Sequence, residues 1–203
     1  MTGPGEGMRV LVLLAHPKPE SFNAAILKAF VGGLVEAGHE PDVADLYKED
    51  FRPALSSEDL TFMGREAPDP AVRAYQARIL AAQGLAFLFP VWWFGPPAML
   101  KGFVDRVFQE NFAFRFKEGG LVEGLLRHRR ALVLNTTGAS ALLYRTFGFG
   151  KPLQQSFCDW TLRFCGIKEV EQVLFHEVVN TDDAARAKYL VEARRLGREF
   201  FSN

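Results

Sequence analysis

Neither an excess of one charge nor a long apolar run is present in this sequence. Lys and Arg together number 24, as do Asp and Glu, in a chain of 203 residues. A nucleic-acid partner is therefore not expected, because such proteins carry a basic excess to neutralise phosphates. No apolar stretch approaches the roughly 20 residues that cross a bilayer. The runs around Val10–Ala15 and Leu85–Phe94 are short and read as buried strands. Cysteine is nearly absent. Cys158 and Cys165 lie seven positions apart, about 10 Å of rise if helical, which is too far for a disulfide. No CxxC occurs, so reduced core thiols and a cytoplasmic setting are expected. GxGxxG and GxxxxGK[ST] are also missing, which disfavours Rossmann and P-loop nucleotide sites. No metal site is expected.

What is present is alternation. Hydrophobic residues make up 48% of the chain and charged residues 24%, a globular balance. Residues 1–7 are Gly-rich without an apolar stretch and read as a disordered lead-in rather than a signal peptide, leaving 8–203 as one domain. Met8–Ala15 is nearly continuous in Val and Leu, as for a strand covered on both faces. Ser21–Glu36 has helical spacing, with Gly38 placed to stop it. His39–Leu46 reads as a shorter strand nearer a sheet edge. Tyr47–Asp69 reads as a long connection with short helical turns, and Pro70–Gln83 as a helix ended by Gly84. Leu85–Val91 follows as a strand, with Pro90 at its end because proline cannot donate to a central ladder. Pro96–Phe108 is a helix with two prolines suited to its first turn. Glu110–Gly124 reads as an irregular loop or a hairpin. Strands over Arg130–Asn135 and Glu169–His176 are separated by a helix over Phe157–Cys165 closed by Gly166. A last helix spans Asp182–Phe201.

Five β runs separated by helices imply an α/β three-layer sandwich around a parallel sheet. The right-handed crossover rule leaves few topologies, and 2-1-3-4-5 is the natural order. Ligands of such sheets bind beyond the carboxyl ends of the strands. Three loops then matter. His16-Pro17-Lys18-Pro19-Glu20-Ser21-Phe22-Asn23 opens a helix that Ser21 or Asn23 can cap. Its N-terminus suits a phosphate, and a capped helix without ligand fits equally. Pro90-Val91-Trp92-Trp93-Phe94-Gly95 puts three aromatics at a strand end, either to wall a flat ring or to cap the core. Asn135-Thr136-Thr137-Gly138-Ala139-Ser140 supplies small residues and hydroxyls, which alone is an ordinary loop.

Together these segments resemble the NAD(P)H:quinone oxidoreductases of the flavodoxin-like fold. The matching pieces are Ala15-His16 with Ser21-Phe22-Asn23, Asp45-Leu46-Tyr47, Phe89-Pro90 with Trp93-Phe94-Gly95, Pro97-Ala98 and Leu100-Lys101-Gly102. Arg106-Val107-Phe108, Thr136-Thr137-Gly138, Tyr144 and Phe164-Cys165-Gly166 continue the series in family order over nearly the whole chain. The resemblance implies a non-covalent flavin, usually FAD with FMN as the alternative, at a homodimer interface. It implies ping-pong transfer of two electrons from NAD(P)H to a quinone-like acceptor. By resemblance His16, Ser21, Phe22 and Asn23 hold the phosphate and ribityl part. Pro90, Val91, Trp92, Trp93 and Phe94 lie beside the ring, and Thr136, Thr137, Gly138 and Ala139 bond its edge. Tyr144 is the catalytic donor near N1 and O2 of the ring. Ala113 and Phe114 line the acceptor pocket from the partner chain. Arg186 stands where the family has an FAD-contacting arginine, and a solvated helix charge explains it equally well.

The chain departs from the animal enzymes where their histidine follows the tyrosine by six residues, since Gly150 stands here. His176, placed on the fifth strand, is no evident substitute. The chain also ends without their additional C-terminal region. Alternatives on the same fold are a regulatory subunit of a bacterial potassium-efflux system, with a peripheral membrane partner, a nitro or azo reductase, and a one-electron carrier. The last is disfavoured by zero net charge and the His-Pro-Lys-Pro-Glu loop.

Overall fold

The computed structural model describes residues 7–67 and 69–202. Of the lead-in expected over 1–7, all but Gly7 lies outside the described residues. In chain order the strands are β1 (Arg9–Leu14), β2 (Glu40–Asp45), β3 (Gly84–Pro90), β4 (Phe114–Phe116), β5 (Val122–Gly124), β6 (Arg130–Thr136) and β7 (Glu169–Phe175). The helices are α1 (Phe22–Glu36), α2 (Ser57–Thr61), α3 (Pro70–Ala81), α4 (Ala98–Val107), α5 (Ala141–Phe147), α6 (Gly150–Leu153) and α7 (Asp183–Glu199), with a π-helical stretch, Gln154–Arg163, running on from α6.

Five strands form one parallel sheet in the order β2-β1-β3-β6-β7, which is the expected 2-1-3-4-5 counted over sheet strands alone. The three middle strands are buried almost throughout. Their alternate residues feed two cores. Leu11, Leu13, Phe87, Phe89 and Val133 pack with residues of α3, α4 and the π-helical stretch. Val10, Val12, Leu88, Leu132 and Leu134 pack with residues of α1 and α7. Helices on both faces are why these strands read as continuous apolar runs, each large side chain stabilising by about 1.5–3 kcal/mol. The edge strands β2 and β7 are more exposed, and Pro41 in β2 is tolerated because an edge strand has an unpaired side.

Local chemistry sets the helix starts. The Ser21 side chain accepts from the Ala24 N–H at the start of α1, and Asp182 accepts from Ala185 N–H at the start of α7, each satisfying one orphan donor. Pro70 occupies the first turn of α3 behind an Asp69 cap. Gly38, at φ 80°, turns the chain out of α1.

Three expectations are corrected. Gly84 does not end α3 but opens β3, where a Cβ would lie 2.4 Å from the Phe201 ring. Two short helices, α5 and α6, occupy a region with no helical reading. The Leu142, Leu143 and Phe147 side chains of α5 are exposed, so its apolar residues do not mark an inward face. The fifth strand stops at Phe175, which leaves His176 just beyond it. The Glu110–Gly124 segment resolves as the antiparallel β4–β5 hairpin. Cys158 and Cys165 are free and buried, as expected, and burial pushes both thiols up to about 12.

The long connection after β2 is held by a buried cation. Arg106, on α4, donates from Nε and Nη2 to the two oxygens of Asp59 (3.0 and 3.1 Å), from Nη2 to Asp69 (2.9 Å) and from Nη1 to the Arg52 carbonyl (2.7 Å). Burial alone would raise the Asp59 and Asp69 carboxyls; the Arg106 fork and backbone donors hold both below their ordinary range.

Candidate functional site at the carboxyl edge of the sheet

The loops after β1, β3 and β6 meet at one edge of the sheet. Pro90 pairs with Thr136 at the strand ends, and the Val91 N–H donates to the Thr136 carbonyl (2.9 Å). Asn23 in the first turn of α1 donates from Nδ2 to the Thr136 hydroxyl (2.9 Å), joining residues 113 positions apart. Asn23 is 3% exposed, yet its Oδ1 has no hydrogen-bond partner among the described residues. A buried amide left half satisfied costs about 1–3 kcal/mol. Turning the amide over would instead present Nδ2 at that place, so in either orientation one polar atom is without a partner among the described residues.

Free backbone donors remain at the start of α1. The first N–H groups of α1 have no intrahelical acceptor, and Ser21 occupies only that of Ala24, leaving a positive helix end. His16 accepts at Nδ1 from the Lys18 N–H (3.0 Å). Burial, with the Lys18 charge adding to it, lowers the His16 pKa despite the backbone bond. Nδ1 also lies 3.2 Å from the Lys18 carbonyl; with the shorter contact taken as the hydrogen bond, a neutral ring carries its proton on Nε2. On the other side of the edge, Gly138 has open space where a side chain would stand, and its N–H makes no hydrogen bond among the described residues.

The aromatic segment makes a tight turn. Trp92 and Gly95 exchange backbone hydrogen bonds of 3.0 and 3.1 Å, with Trp93 at φ 50° and Phe94 at φ 61° between them. Left-handed backbone costs a residue with a Cβ about 1–2 kcal/mol, and here two aromatics in succession adopt it. Trp93 is 95% exposed. Trp92 leans toward His16, with ring centroids 6.2 Å apart, and Phe94 packs on Phe149 at 4.9 Å. The strain is maintained without burying the Trp93 ring, an arrangement found at ligand sites.

Thr137 is 2% exposed; its hydroxyl donates to the Ala139 carbonyl (2.8 Å) and meets His176 Nδ1 at 3.1 Å. Tyr144, on α5, packs its ring on the His176 ring at 4.9 Å and 63°. Burial raises the Tyr144 phenol, with the Thr137 hydroxyl opposing the shift.

The sequence profile of the flavodoxin-like fold matches residues 8–196. Among curated relatives, the uncharacterised NAD(P)H oxidoreductase of Haemophilus influenzae is 33% identical over 91% of each chain. The mouse ribosyldihydronicotinamide dehydrogenase [quinone] is 32% identical over 94% of this chain and 91% of its own. The solved NAD(P)H:quinone oxidoreductase from Methanothermobacter marburgensis superposes with TM-score 0.88 at 33% identity, over 96% of this chain and 99% of that one. The chain belongs to the NAD(P)H:quinone oxidoreductase family of the flavodoxin-like fold. It is an oxidoreductase of that family.

Against the family expectation, His16, Ser21, Phe22, Asn23, Pro90 to Phe94 and Thr136 to Ala139 all stand at this one edge. Arg186 is close by, but its guanidinium is bound to the Val178 and Val179 carbonyls (3.3 and 3.4 Å) and paired with Asp183, so it braces the loop after β7. Ala113 is wholly buried in its own chain, whereas Phe114 is half-buried between Phe116 and Phe164. His176 is the residue that the sequence reading undervalued. The signal was available: it directly follows the last residue of a parallel strand, at the edge where ligands of this architecture bind.

Proposed function

We propose that this member of the NAD(P)H:quinone oxidoreductase family binds a flavin, FAD in preference to FMN, and uses it to move two electrons from NAD(P)H to a quinone-like acceptor. One substrate leaves before the other enters. The observation that carries the reading is the half-satisfied Asn23 amide, set between an open helix end and an open glycine loop and bonded to Thr136. A ribityl hydroxyl can donate to the free Oδ1, a phosphate oxygen can accept from Nδ2 if the amide is turned over, and α1 suits the phosphates. The Trp92–Gly95 turn offers aromatic faces to a flat ring, and the Gly138 N–H suits its polar edge.

When bound, the flavin supplies the two-electron chemistry. The chain does the rest. Ser21, Phe22, Asn23 and His16 hold the tail, His16 by donating from Nε2. Pro90 to Phe94 set the plane of the ring, with Trp92 and Phe94 braced by His16 and Phe149. Thr136 to Ala139 present donors where negative charge collects, and Tyr144 adds a phenol at the same end.

The pocket is completed by a second copy of the chain. Trp160, Phe116, Leu121 and Met63 are exposed, and Met63 and Trp160 border a groove of about 260 Å³ with Phe108, Phe114 and Phe164. Apolar area of this kind is removed from water in dimer interfaces, and Phe114 reaches the partner's site from it. Among the described residues no helix is long and apolar enough to cross a membrane.

The test is a titration of the purified chain with FAD and with FMN, followed by absorbance and fluorescence, then NADH and NADPH oxidation with menadione at varied concentrations of both substrates. Tight uptake of FAD and parallel double-reciprocal lines are expected. Failure to take up either flavin would remove the reading, and a purely monomeric species in sedimentation would remove the two-chain pocket.

A further inference from the structure

A cavity of about 600 Å³ lies between α5, α6 and the edge strand β7. Two of its wall residues, Tyr144 and His176, are also the pair that touches Thr137. Gly150 lines it without a side chain; a Cβ there would only reach ordinary contact with Leu174 and Tyr144, at 3.4 and 3.6 Å. The cavity therefore joins the polar end of the proposed flavin site to solvent through one titratable imidazole.

The ring is held in a defined state. The His176 carbonyl accepts from the Tyr189 hydroxyl (3.0 Å), and the next two residues donate their N–H groups to the Ala139 and Thr137 carbonyls (3.2 and 3.1 Å). The loop after β7 is thus laced to the loop after β6. The Thr137 hydroxyl has one proton, committed to the Ala139 carbonyl at 2.8 Å. With that proton assigned to the shorter contact, the 3.1 Å contact between Thr137 and His176 is made by an Nδ1–H donor. That selects the Nδ1–H tautomer and leaves Nε2 as the one vacant acceptor on the ring. Burial lowers the His176 pKa, the Ala139 carbonyl and Glu177 oppose this, and the Arg145 charge adds to it. Tyr144 on α5 packs against the ring, Lys151 on α6 and Glu171 on β7 line the same cavity, and Tyr189 on α7 bonds the His176 carbonyl. At rest near neutral pH the imidazole is neutral, and a negative charge appearing nearby would favour its protonation.

We propose that His176 is the proton-holding residue of this site, taking up one proton at Nε2 from water in the cavity when negative charge collects beside Thr137 and Gly138, and releasing it when that charge leaves. It acts through the Thr137 hydroxyl and the Tyr144 phenol, which makes it a positioning residue and not one that touches substrate. The balance is one proton in from solvent and one proton out per cycle. The inference rests on the flavin reading of the same edge.

The test uses the full chain with 15N-labelled histidine, followed by long-range 1H–15N NMR over pH 5 to 9 as apoprotein, with bound FAD, and with bound FAD reduced by dithionite. The Nδ1–H tautomer is expected before reduction, and the His176 titration should move upward by a pH unit or more on reduction, a tenfold change in proton affinity. His176→Asn keeps a donor near the Nδ1 position but cannot titrate, and should retain the apoprotein melting temperature and FAD affinity while taking up as much as one proton fewer than the unsubstituted protein when both are reduced by the same amount of dithionite, read with a pH indicator dye. His176→Phe removes both and separates loss of the bond from loss of the proton. An Nε2–H tautomer, an identical titration in oxidised and reduced protein, or undiminished proton uptake in His176→Asn would overturn the inference with flavin binding intact. Absence of FAD binding would instead sink the flavin reading itself.

Discussion

Two buried polar clusters in this molecule satisfy their atoms in opposite ways. At Arg106 the guanidinium meets Asp59, Asp69 and the Arg52 carbonyl, and neither Arg106 nor the aspartates leave a buried atom without a partner among the described residues. At the carboxyl edge Asn23 is buried with one amide atom unpaired among the described residues, Trp93 and Phe94 hold left-handed backbone, and Gly138 faces open space. A completed network uses its polar groups within the fold and pins a loop. An incomplete one keeps polar groups and strain in reserve, which the chain tolerates where a ligand supplies the missing half. The comparison explains why Arg106, though part of the family pattern, is assigned to architecture, while Asn23 is assigned to binding.

The contrast can be broken by substitution. The largest effect is expected from Arg106→Met, which strands Asp59 and Asp69 without their cation and should cost about 3–5 kcal/mol in urea unfolding. If that loss is under 1 kcal/mol, the cluster is not the pin described. Next, Asn23→Leu removes the unpaired atom together with the Thr136 bond. FAD affinity should fall about tenfold, near 1.4 kcal/mol, while stability of the apoprotein changes by less than about 1 kcal/mol. A large stability loss with unchanged FAD affinity would exchange the roles assigned to the two clusters. Smaller still, Trp93→Gly relieves left-handed strain at an exposed ring, so the melting transition should rise by the equivalent of at most about 1 kcal/mol, with weaker FAD binding.

The gentlest effect is the pH dependence. Burial lowers the pKa of all four histidines, His16, His39, His128 and His176, from the ordinary 6.5. His128 is the most enclosed; its Nε2 bonds the Ile79 carbonyl at 2.9 Å and its Nδ1 is buried without a partner among the described residues. An imidazole held neutral binds fewer protons than the unfolded chain, so its contribution is intact above pH 6.5 and is lost as pH falls through the lowered folded value. The carboxyls of Asp59 and Asp69 are depressed below their ordinary 3.8, so their contribution is present above that value and disappears only in stronger acid. Urea midpoints between pH 8 and 3 should therefore decline in two stages. His128→Gln should flatten the first stage, and a profile unchanged by it would show that His128 does not carry that stage.

Much of the fold was legible because it is written locally. The Val and Leu runs of β1, β3 and β6, the Ser21 and Asp182 caps and the Gly38 stop each act within a few residues of themselves. Five strands and intervening helices then leave the handedness rule little choice of order. Short elements resisted this reading. The apolar residues of α5 face outward, and the π-helical stretch departs from the period by which helices are recognised. Within the site, the loop segments could be placed at strand ends from sequence, since parallel strands send all their carboxyl ends one way. Their partnerships could not, because the Asn23–Thr136 bond spans 113 positions and Thr137–His176 spans 39.

By itself, then, the order of amino acids determined which segments are strands, which way they run, and hence which loops share an edge, since these follow from side-chain periodicity and chain chirality. Only the tertiary structure decided that the Asn23 amide is left half paired, that Trp93 and Phe94 are twisted into the left-handed region, and that His176 comes to rest against Thr137 and Tyr144. Those outcomes depend on distances between residues far apart along the chain, which are set when the two faces of the sheet are packed and not before.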